Sequence, residues 1–554
     1  MFREKYQQVA RMLRACTGEE DVLLTRGGDH ADLASTVAFK LAKKQKKAPA
    51  QIAQELAGEL AALPDLGDTV VEAKGPYINF RFGDSYLSEG VQRALEPGYG
   101  RLPRRSERVV LEHTSANPNG PLHVGHIRNT VIGDTLARAF RKAGYPLEVQ
   151  YYLNDMGRQI AIVSWGFDTL GIERNEGEKS DHYVARVYVA ANRAMEKNPE
   201  IVREIDARMQ LVERGDAETV TKFRTAVSLC AEGIRETLAE LHGSHDRFVW
   251  ESDFIRIGDV DRIIGTIKRL PQTHEDETLW VDLSEFGFEK KYILRRSDGT
   301  SVYSTRDLAY HTWKGRNYDR IIDILGADHK LIGAQLSATL NLLDEKAPEI
   351  VYFEFVSLPE GSMSTRAGKF ISADELVDEV TAKAMEEVTT RRPELPEEER
   401  SAIARSVAIA AIRYDIVKII PEKSTVFDWK EALDFERQSG PYIQYAHARA
   451  CSILEKAGEF ETAFVYSTEH EIALAKHLAR FPAVIEEVVA ELRPHLLAAY
   501  ARELADLFNA FYHYDPVLKS SGVTRNSRLT LVDAVRNTLK ESLETLGIDA
   551  IRSM

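Results

Sequence analysis

Hydrophobic and polar positions in the first hundred residues alternate in patterns typical of both helices and strands. Apolar side chains recur at helical spacing between residues 41 and 63: Ile52, Leu56, Leu60 and Leu63. Residues 69–82 alternate as a pair of strands would around a turn at Lys74-Gly75-Pro76. A stretch rich in Gly, Pro and Arg, residues 97–108, then indicates a linker. We therefore expect a small α/β domain over residues 1–100.

The next segment has the pattern of a strand, a loop, a helix and a second strand. Residues 108–115 are an apolar strand candidate, and a loop of Pro, Asn and Gly follows them. An amphipathic helix then ends at Gly144, and residues 146–155 form the next strand candidate. This order is typical of the first part of a doubly wound parallel sheet, in which ligands bind beyond the carboxyl ends of the strands.

Residues 175–250 are charged and helical in pattern, which predicts a helical insertion at about 170–275. Strand-like stretches return after the insertion at three places: 278–283, 319–325 and 350–358. From residue 386 to 554 long amphipathic helices dominate. The expected fold is α/β plus all-α, with a split Rossmann domain (a doubly wound parallel sheet) over residues 101–385 and a helical domain after it.

Composition and charge exclude several classes of protein. The chain is 44% hydrophobic and 29% charged, which is typical of a globular protein. Its 72 basic and 86 acidic residues give a net charge of −14, so contact with nucleic acid requires local basic patches. Cys16, Cys230 and Cys451 are too far apart for a disulfide framework or a cysteine zinc site. With no cysteine site, we expect no resident metal. No long apolar run or signal core is present, so we expect no membrane span and a cytoplasmic location.

A pair of histidines stands where the loop after the first strand enters the helix, in His123-Val124-Gly125-His126. Imidazoles three residues apart share one helix face, and at a helix N-terminus that face meets exposed N–H groups and the positive end of the dipole. Gly125 leaves room for a nucleotide against the backbone. Two surface histidines that merely cap a helix are the alternative, and the position after a strand and its loop favours a phosphate site.

A second candidate is the basic loop of residues 362–369, which follows the strand that ends near Leu358. Arg366 and Lys369 could stabilise a leaving pyrophosphate, because cations lower the cost of charge that develops there. Taken alone, the segment could equally be a solvated loop. Together with the histidine pair upstream, it indicates the second half of one nucleotide pocket.

These two segments resemble the HIGH and KMSKS signatures of class I aminoacyl-tRNA synthetases. Within that class the chain resembles arginyl-tRNA synthetases in five segments: EHTSANPNGPLHVGHIRNTVIGD (112–134), NDMGRQ (154–159), SDGTSVYSTRD (297–307), GADH (326–329) and SGPYIQYAHAR (439–449). The resemblance runs from Tyr77 to Leu546-Gly547-Ile548 and so covers most of the chain.

The chain departs from the family pattern in two places. Ser362 and Thr365 stand where the class usually has the two lysines of its second signature, so Arg366 or Lys369 is expected to replace the missing cation. His329 occupies a position where some relatives have a glutamine near the amino acid, which leaves its contact open.

The resemblance implies a two-step reaction with ATP and Mg²⁺. The carboxylate of L-arginine attacks the α-phosphate of ATP, and the arginyl group then passes to the terminal ribose of tRNA(Arg). The implied catalytic residues are His123, His126, Arg366 and Lys369. The implied ATP-binding residues are Asn119, Gly120, Pro121, His123, Gly125, His126, Gly326, Asp328, Met363 and Ser364.

Arginine as a substrate requires carboxylates and an aromatic or hydroxyl wall, because a guanidinium is a planar cation with only donors. The family positions that hold arginine match Glu112, Ser115, Asn117, Tyr303 and Asp307, and His329 is a further candidate. Tyr303 and Asp307 share one face if their segment is helical. The alternatives are a pair with a nearby Arg for Glu112, a helix cap or ion pair for Asp307 and a plain turn residue for Asn117.

The N-terminal domain resembles the family's tRNA-elbow module, and the helical domain resembles its anticodon-binding module. The implied tRNA contacts are Tyr77, Asn79, Gln444, Tyr445, Arg449 and Tyr512. Further candidates are Phe80, His447, Phe511, His513 and the lysines at 40, 43, 44, 46 and 47. For the aromatic residues a place in the core is the alternative, and for the lysines a solvated face.

Three rival interpretations remain. A different class I synthetase is the nearest, although Glu112 and Asp307 favour a cationic substrate. A smaller nucleotidyltransferase predicts no helical C-terminal domain. A catalytically inactive tRNA-binding paralogue would lose phosphate-handling residues, whereas His123, Gly125, His126 and Lys369 are present. The expected partners are tRNA(Arg), L-arginine and ATP, and the expected state is a monomer.

Overall fold

The computed structural model of the chain describes residues 2–25, 27, 31–297, 299–359 and 371–554. The first region contains four helices and an antiparallel sheet in the strand order β1-β2-β4-β3. Its elements are α1 (Phe2–Thr17), β1 (Leu24–Thr25), β2 (Leu33–Ser35), α2 (Val37–Gln45), α3 (Pro49–Ala61), β3 (Val70–Lys74), β4 (Tyr77–Arg81) and α4 (Asp84–Ala94). The predicted strand pair is β3 and β4, joined at Gly75 with φ of 59°.

The helical pattern predicted between residues 41 and 63 is divided between two helices. Lys46 ends α2 in the left-handed conformation, with φ of 53°, and Pro49 begins α3 at a position where its missing N–H costs nothing. Leu63 lies beyond the end of α3, while Ile52, Leu56 and Leu60 face the core.

A five-stranded sheet in the order β12-β11-β5-β6-β7 is the centre of the second region, and all its neighbouring pairs are parallel. The elements up to its third strand in the chain are β5 (Val109–Glu112), α5 (Val124–Lys142), β6 (Leu147–Leu153), α6 (Arg158–Thr169), α7 (Ser180–Lys197), α8 (Glu200–Glu213), α9 (Ala217–Glu240) and β7 (Arg247–Trp250). Those that follow are α10 (Glu251–Arg256), α11 (Asp259–Ile267), β8 (Thr273–Glu275), β9 (Leu279–Val281), β10 (Tyr292–Arg295), α12 (Tyr303–Asn317), β11 (Arg320–Gly326), α13 (Lys330–Leu342), β12 (Glu349–Phe353) and β13 (Val356–Ser357).

Two expectations about this region were wrong in detail. The range 170–275 is not wholly a helical insertion, because β7 lies within it and pairs with β6 in the central sheet. The stretch 278–283 does not extend that sheet, because β9 belongs to a separate antiparallel sheet in the order β10-β9-β8. Short strands carry too little periodicity to reveal which sheet they join.

The third region is helical. Its elements are α14 (Ala373–Arg391), α15 (Glu397–Val417), β14 (Thr425–Val426), α16 (Trp429–Ala432), α17 (Gly440–Ala457), α18 (Glu469–Ala479), α19 (Phe481–Glu491), α20 (His495–Tyr514) and α21 (Gly522–Thr545). The boundary expected at residue 386 falls inside α14, which packs against α15. One apolar core continues through all three regions. None of the helices in the described parts of the chain is long and apolar enough to span a membrane.

Candidate active site

The chain leaves β5 through two residues with unusual backbone angles. Thr114 and Ser115 have φ of 70° and 39°, a region that non-glycine residues rarely adopt. Asn129 of α5 holds the bend: its Oδ1 accepts the Thr114 N–H at 2.8 Å, and its Nδ2 donates to the carbonyl of Ile324 at 3.1 Å. The ends of β5 and β11 are thereby fixed to the helix that begins with the histidine pair.

His123 and His126 form a reciprocal cap at the start of α5. The Nδ1 of His123 accepts the Gly125 N–H at 3.1 Å, and the Nδ1 of His126 accepts the His123 N–H at 3.2 Å. The two rings stack with centroids 3.7 Å apart. A Cβ on residue 125 would lie 2.9 Å from the Cε1 of His123, so only glycine lets the ring fold back in this way.

Burial keeps both imidazoles neutral. It lowers the pKa of His123 and, with the charge of His123 as a smaller cause, lowers the pKa of His126 to about 3. Since each Nδ1 accepts a backbone N–H, the proton of each neutral ring is on Nε2. The pair is therefore a set of neutral hydrogen-bond donors at the positive end of a helix, which suits an anionic ligand.

A cavity of about 730 Å³ opens next to this helix N-terminus, beyond the carboxyl ends of β5 and β11. The predicted site residues that line it are Ser115, Asn117, His123, Gly125, His126, Gly326, Asp328 and His329. Another part of the lining is largely apolar and consists of Phe353, Phe355, Val356, Ser357 and Leu358. The Nδ1 of His329 lies 3.2 Å from a carboxylate oxygen of Asp328, and both side chains are exposed.

Other predicted nucleotide residues do not line this cavity. Asn119, Gly120 and Pro121 follow the bend but are absent from its walls. Gly120 lies against Ala185 of α7, and its carbonyl accepts the Cys230 thiol at 3.5 Å. The predicted residues Met363, Ser364, Arg366 and Lys369 lie outside the described residues.

Glu112 is buried at the end of β5, where both its oxygens are engaged. One accepts the Ser115 hydroxyl at 2.9 Å and the other accepts the Lys314 ammonium at 2.6 Å. Lys314 is fully buried and also donates to Asp323 at 2.8 Å. Glu112, His311 and Asp323 could together ligate a metal ion, but the Lys314 ammonium already neutralises the two carboxylates. Glu112 is thus in an ion pair in this structure, and its partner is Lys314 rather than the arginine considered as the alternative.

His311 extends this network to Asp307. Its Nε2 lies 2.6 Å from Asp323, and its Nδ1 lies 3.0 Å from the Asp307 carboxylate. Burial and Lys314 oppose a charge on His311, but Asp323 and Asp307 outweigh them and raise its pKa to about 10. Tyr303 and Asp307 share the first turns of α12, as their spacing predicted, and Tyr303 is 53% exposed.

Two residues near Asp307 were missed by the sequence interpretation. Glu251, fully buried just after β7, pairs through one oxygen with Arg306. Its Oε2 and the buried hydroxyl of Tyr152 on β6 have no hydrogen-bond partner among the described residues. Burial, followed by the charges of Glu251 and Asp307, raises the pKa of Tyr152 well above its ordinary value. Neither residue belongs to a distinctive motif, and only the order β5-β6-β7 brings them beside the site.

The predicted tRNA residues divide into exposed and buried groups. Tyr77, Tyr445 and Tyr512 are exposed, and the Arg449 guanidinium lies 4.7 Å from the Tyr445 ring centre and 5.7 Å from that of Tyr512. Phe39, which was not predicted, packs edge-on against Tyr77 with centroids 5.9 Å apart. These side chains form two exposed aromatic surfaces at opposite ends of the sequence.

Asn79 and Gln444 are corrections, because both are buried. Asn79 is 4% exposed within β4, and Gln444 is fully buried, where its amide nitrogen Nε2 donates to the Ser406 hydroxyl and to the carbonyl of Asp549. The further candidates Phe80, His447 and Phe511 are also buried. Packing between helices and strands buries these side chains, and the type of a polar or aromatic residue alone does not predict whether it is buried.

Part of the lysine stretch in the first region is occupied by ion pairs. Lys40 and Lys44 contact Glu19, and Lys47 contacts Glu55 at 2.8 Å. These pairs are on the surface and are consistent with the solvated alternative.

Comparison with known families gives three matches in chain order. Residues 6–82 match the arginyl tRNA synthetase N terminal domain, residues 93–429 match the catalytic domain of tRNA synthetases class I (R), and residues 443–554 match the DALR anticodon binding domain. The catalytic match alone spans more than half of the chain. This chain belongs to the arginyl-tRNA synthetase family.

Relatives in this family are similar to the chain over its full length. The arginine--tRNA ligase of Methanoregula boonei is 68% identical over 551 residues, with 99% of each chain covered. That of Methanosphaerula palustris is 64% identical, with 100% of each covered. Among solved structures, the Thermus thermophilus arginyl-tRNA synthetase has a TM-score of 0.87 at 31% identity and covers 100% of both chains. The Plasmodium falciparum enzyme shares the fold, with a TM-score of 0.82 at 17% identity.

Proposed function

We propose that this chain ligates L-arginine to tRNA(Arg) in a reaction that converts ATP to AMP and diphosphate. Family membership supports the ligation chemistry. One observation supports arginine as the amino acid. Near Asp307, a buried oxygen of Glu251 and the buried hydroxyl of Tyr152 have no hydrogen-bond partner among the described residues. A substrate guanidinium supplies several N–H donors in one plane, which is what these acceptors need.

In the proposed arginine site, Asp307 and the second oxygen of Glu251 bind the guanidinium. Tyr303 covers it from the exposed side, and the Tyr152 hydroxyl accepts one of its N–H groups. Ser115, Asn117 and His329 line the adjoining cavity, where they would position the α-amino and carboxylate groups. Glu112 contributes by holding Ser115 in place through its 2.9 Å hydrogen bond.

ATP is proposed to occupy the cavity between the start of α5 and the apolar wall that includes Phe353 and Phe355. Its adenine would pack on that wall, its ribose would lie near Gly326 and Asp328, and its α-phosphate would meet the Nε2–H groups of the histidine pair. Mg²⁺ enters with ATP as part of the substrate.

The first step needs no nucleophile from the protein. A carboxylate oxygen of arginine forms a bond to the α-phosphorus, the bond from that phosphorus to the bridging oxygen breaks, and pyrophosphate leaves with the electron pair. The contributions of the protein are alignment of the two substrates and stabilisation of charge. Neutral His123 and His126 donate hydrogen bonds as charge builds on the α-phosphate, and Arg366 and Lys369 are proposed to stabilise pyrophosphate.

Residues 1–100 are proposed to bind the tRNA elbow around Tyr77, and residues 386–554 to bind the anticodon around Tyr445, Arg449 and Tyr512. Exposed aromatic rings beside a guanidinium are suited to stacking on unpaired bases. Residues 101–385 would then contain the chemistry. We further propose that the protein acts as a monomer in the cytoplasm.

A charging assay with purified protein, labelled arginine, ATP, Mg²⁺ and total tRNA tests this function. We expect label in acid-precipitable RNA that is sensitive to mild base, and its appearance should depend on ATP. Labelled lysine, a cation without the planar guanidinium, is the matched control and should not be incorporated. Incorporation of lysine in place of arginine, or the absence of charging by folded protein that still binds tRNA, would contradict the proposal. The second result would favour the inactive tRNA-binding paralogue.

A further inference from the structure

Arg128 is a fully buried arginine in α5, two residues after His126. Its guanidinium donates to four backbone carbonyls: Phe355 at 3.3 Å, Ile420 at 3.3 Å, Pro421 at 3.1 Å and Lys423 at 2.7 Å. Within the described part of the chain no carboxylate forms an ion pair with it. Burial lowers the pKa of Arg128 while the charge of Glu354 opposes this, and because burying a cation is costly the four carbonyls must provide much of its stabilisation.

The four carbonyls belong to two segments, one of which lines the same cavity as the histidines. Phe355 begins what we call the wall segment, residues 355–358, which lines the cavity. Residues 420–423 connect α15 to β14, and β14 pairs in parallel with β13 inside the wall segment. Two further backbone bonds support the junction: the Thr425 N–H donates to Phe355 at 3.2 Å, and the Phe427 N–H donates to Ser357 at 2.9 Å.

The guanidinium adds side-chain hydrogen bonds between α5 and this junction, where α5 also packs against β13 and α15. A planar fork of N–H donors reaches several carbonyls at once, which neither a neutral side chain nor an ammonium can reproduce with the same geometry. The helix that begins with His123 and His126 is therefore joined to the wall segment by these hydrogen bonds as well as by its packing against β13. The histidine pair and the wall segment both line the cavity in which the nucleotide is proposed to bind.

We propose that Arg128 is a positioning residue that fixes the wall segment at the distance from the histidine pair that the nucleotide requires. This inference rests on the proposed function, because it assumes that ATP fills the cavity. Arg128 does not line the cavity and acts only through the backbone carbonyls it holds. Substitution of Arg128 should therefore weaken nucleotide binding. It should affect arginine binding little, because the proposed guanidinium site at Asp307 and Glu251 lies on other elements.

The test compares Arg128→Met and Arg128→Lys with Arg413→Met. Arg413 is the matched control: it is also fully buried, donates to the carbonyls of Leu241 and Leu546 and pairs with Asp134, away from the cavity. For each variant, the Kd of a nonhydrolysable ATP analogue is measured by calorimetry below the Tm, together with the Tm and the KM values for ATP and arginine.

We expect Arg128→Met to raise the nucleotide Kd and the ATP KM by about tenfold or more, because displacements near 1 Å strongly weaken aligned sites. The arginine KM should stay within about twofold, and Arg128→Lys should have an intermediate nucleotide Kd because an ammonium reaches fewer of the carbonyls. Arg413→Met should lower the Tm and leave the nucleotide Kd within about twofold of the unsubstituted protein.

A nucleotide Kd for Arg128→Met that matches that of Arg413→Met would overturn the inference and leave Arg128 as a structural brace. If Arg128→Met does not fold, Arg128→Lys provides the test. A nucleotide Kd of Arg128→Lys equal to that of the unsubstituted protein would then contradict the inference. Failure of the unsubstituted protein to bind the analogue would instead count against the proposed function, so the two failures are distinguishable.

Discussion

The Nδ1 of His126 accepts the backbone N–H of His123 at 3.2 Å, and the two imidazole rings stack against each other. This contact determines where the protons of the pair are placed. A ring that accepts at Nδ1 has its proton on Nε2, and burial lowers the pKa of His126 to about 3, so the ring stays neutral at physiological pH. The motif therefore acts as a neutral donor pair, and the field of the helix supplies the positive potential.

The lowered pKa of His126 predicts the sign of a pH effect on stability. Because the folded pKa lies below the ordinary value of 6.5, the contribution of this histidine is complete above pH 6.5 and declines as the pH falls toward about 3. The free energy of unfolding should therefore decrease more steeply below pH 6.5 than it does in His126→Gln, whose side chain does not titrate. Urea unfolding at a series of pH values measures this, and parallel curves for the two proteins would contradict the assignment.

His311 should show the opposite dependence. Its folded pKa is raised from 6.5 to about 10, so its charged contacts with Asp323 and Asp307 stabilise the fold fully below pH 6.5 and progressively less up to about pH 10. His311→Gln should accordingly lose most stability in the acidic part of that window, and its deficit should shrink as the pH rises. If the loss of unfolding free energy in His311→Gln instead grows as the pH rises, His311 is neutral in the folded protein.

Gly125→Ala should impair ATP use with little effect on folding. The added Cβ would lie 2.9 Å from the His123 ring, which would have to leave its place against the Gly125 N–H. We expect ATP–pyrophosphate exchange to fall by about 10²-fold, the scale typical of losing a preorganised donor. Gly58→Ala is the control: a Cβ there meets no atom within 4 Å, so this substitution in α3 should leave exchange unchanged. Equal exchange rates in the two variants would refute the role given to Gly125.

Asp307→Asn and Glu251→Gln should each raise the KM for arginine by about 10- to 100-fold, since each replaces a carboxyl group that is proposed to accept hydrogen bonds from the guanidinium. The KM for ATP should stay within about twofold, because neither residue lines the nucleotide cavity. Asp261→Asn, an exposed position on α11, is the control for loss of one negative charge. Steady-state charging kinetics separate the two KM values, and parallel changes in both would exclude a separate guanidinium site.

Local patterns predicted the parts of the site that follow one another in sequence. The strand–loop–helix order placed His123 and His126 at a helix N-terminus, and the four-residue spacing placed Tyr303 and Asp307 on one helix face. These predictions succeed because helical periodicity and the strand-to-helix turn are encoded within a few residues of each other.

Contacts between distant segments could not be predicted in this way. Lys314 is 202 residues from Glu112, and Arg128 is 292 to 295 residues from the carbonyls at 420–423. Glu251 becomes a candidate only once β7 is known to lie beside β6. The exposure of side chains could not be predicted from the sequence either, since Gln444 and Tyr445 are neighbours in one motif but only Tyr445 is exposed to solvent. In each case packing in the folded chain decides which of several plausible polar contacts a residue makes.

Amino-acid-dependent ATP–pyrophosphate exchange, run with each of the twenty amino acids and with or without total tRNA, tests the central claim most directly. The account predicts exchange with arginine alone among the twenty amino acids when tRNA is present. Exchange supported by a different amino acid would contradict the guanidinium site at Asp307 and Glu251. If the folded protein shows no exchange with any of the twenty amino acids, the result would contradict the claim that the histidine pair and its cavity activate an amino acid.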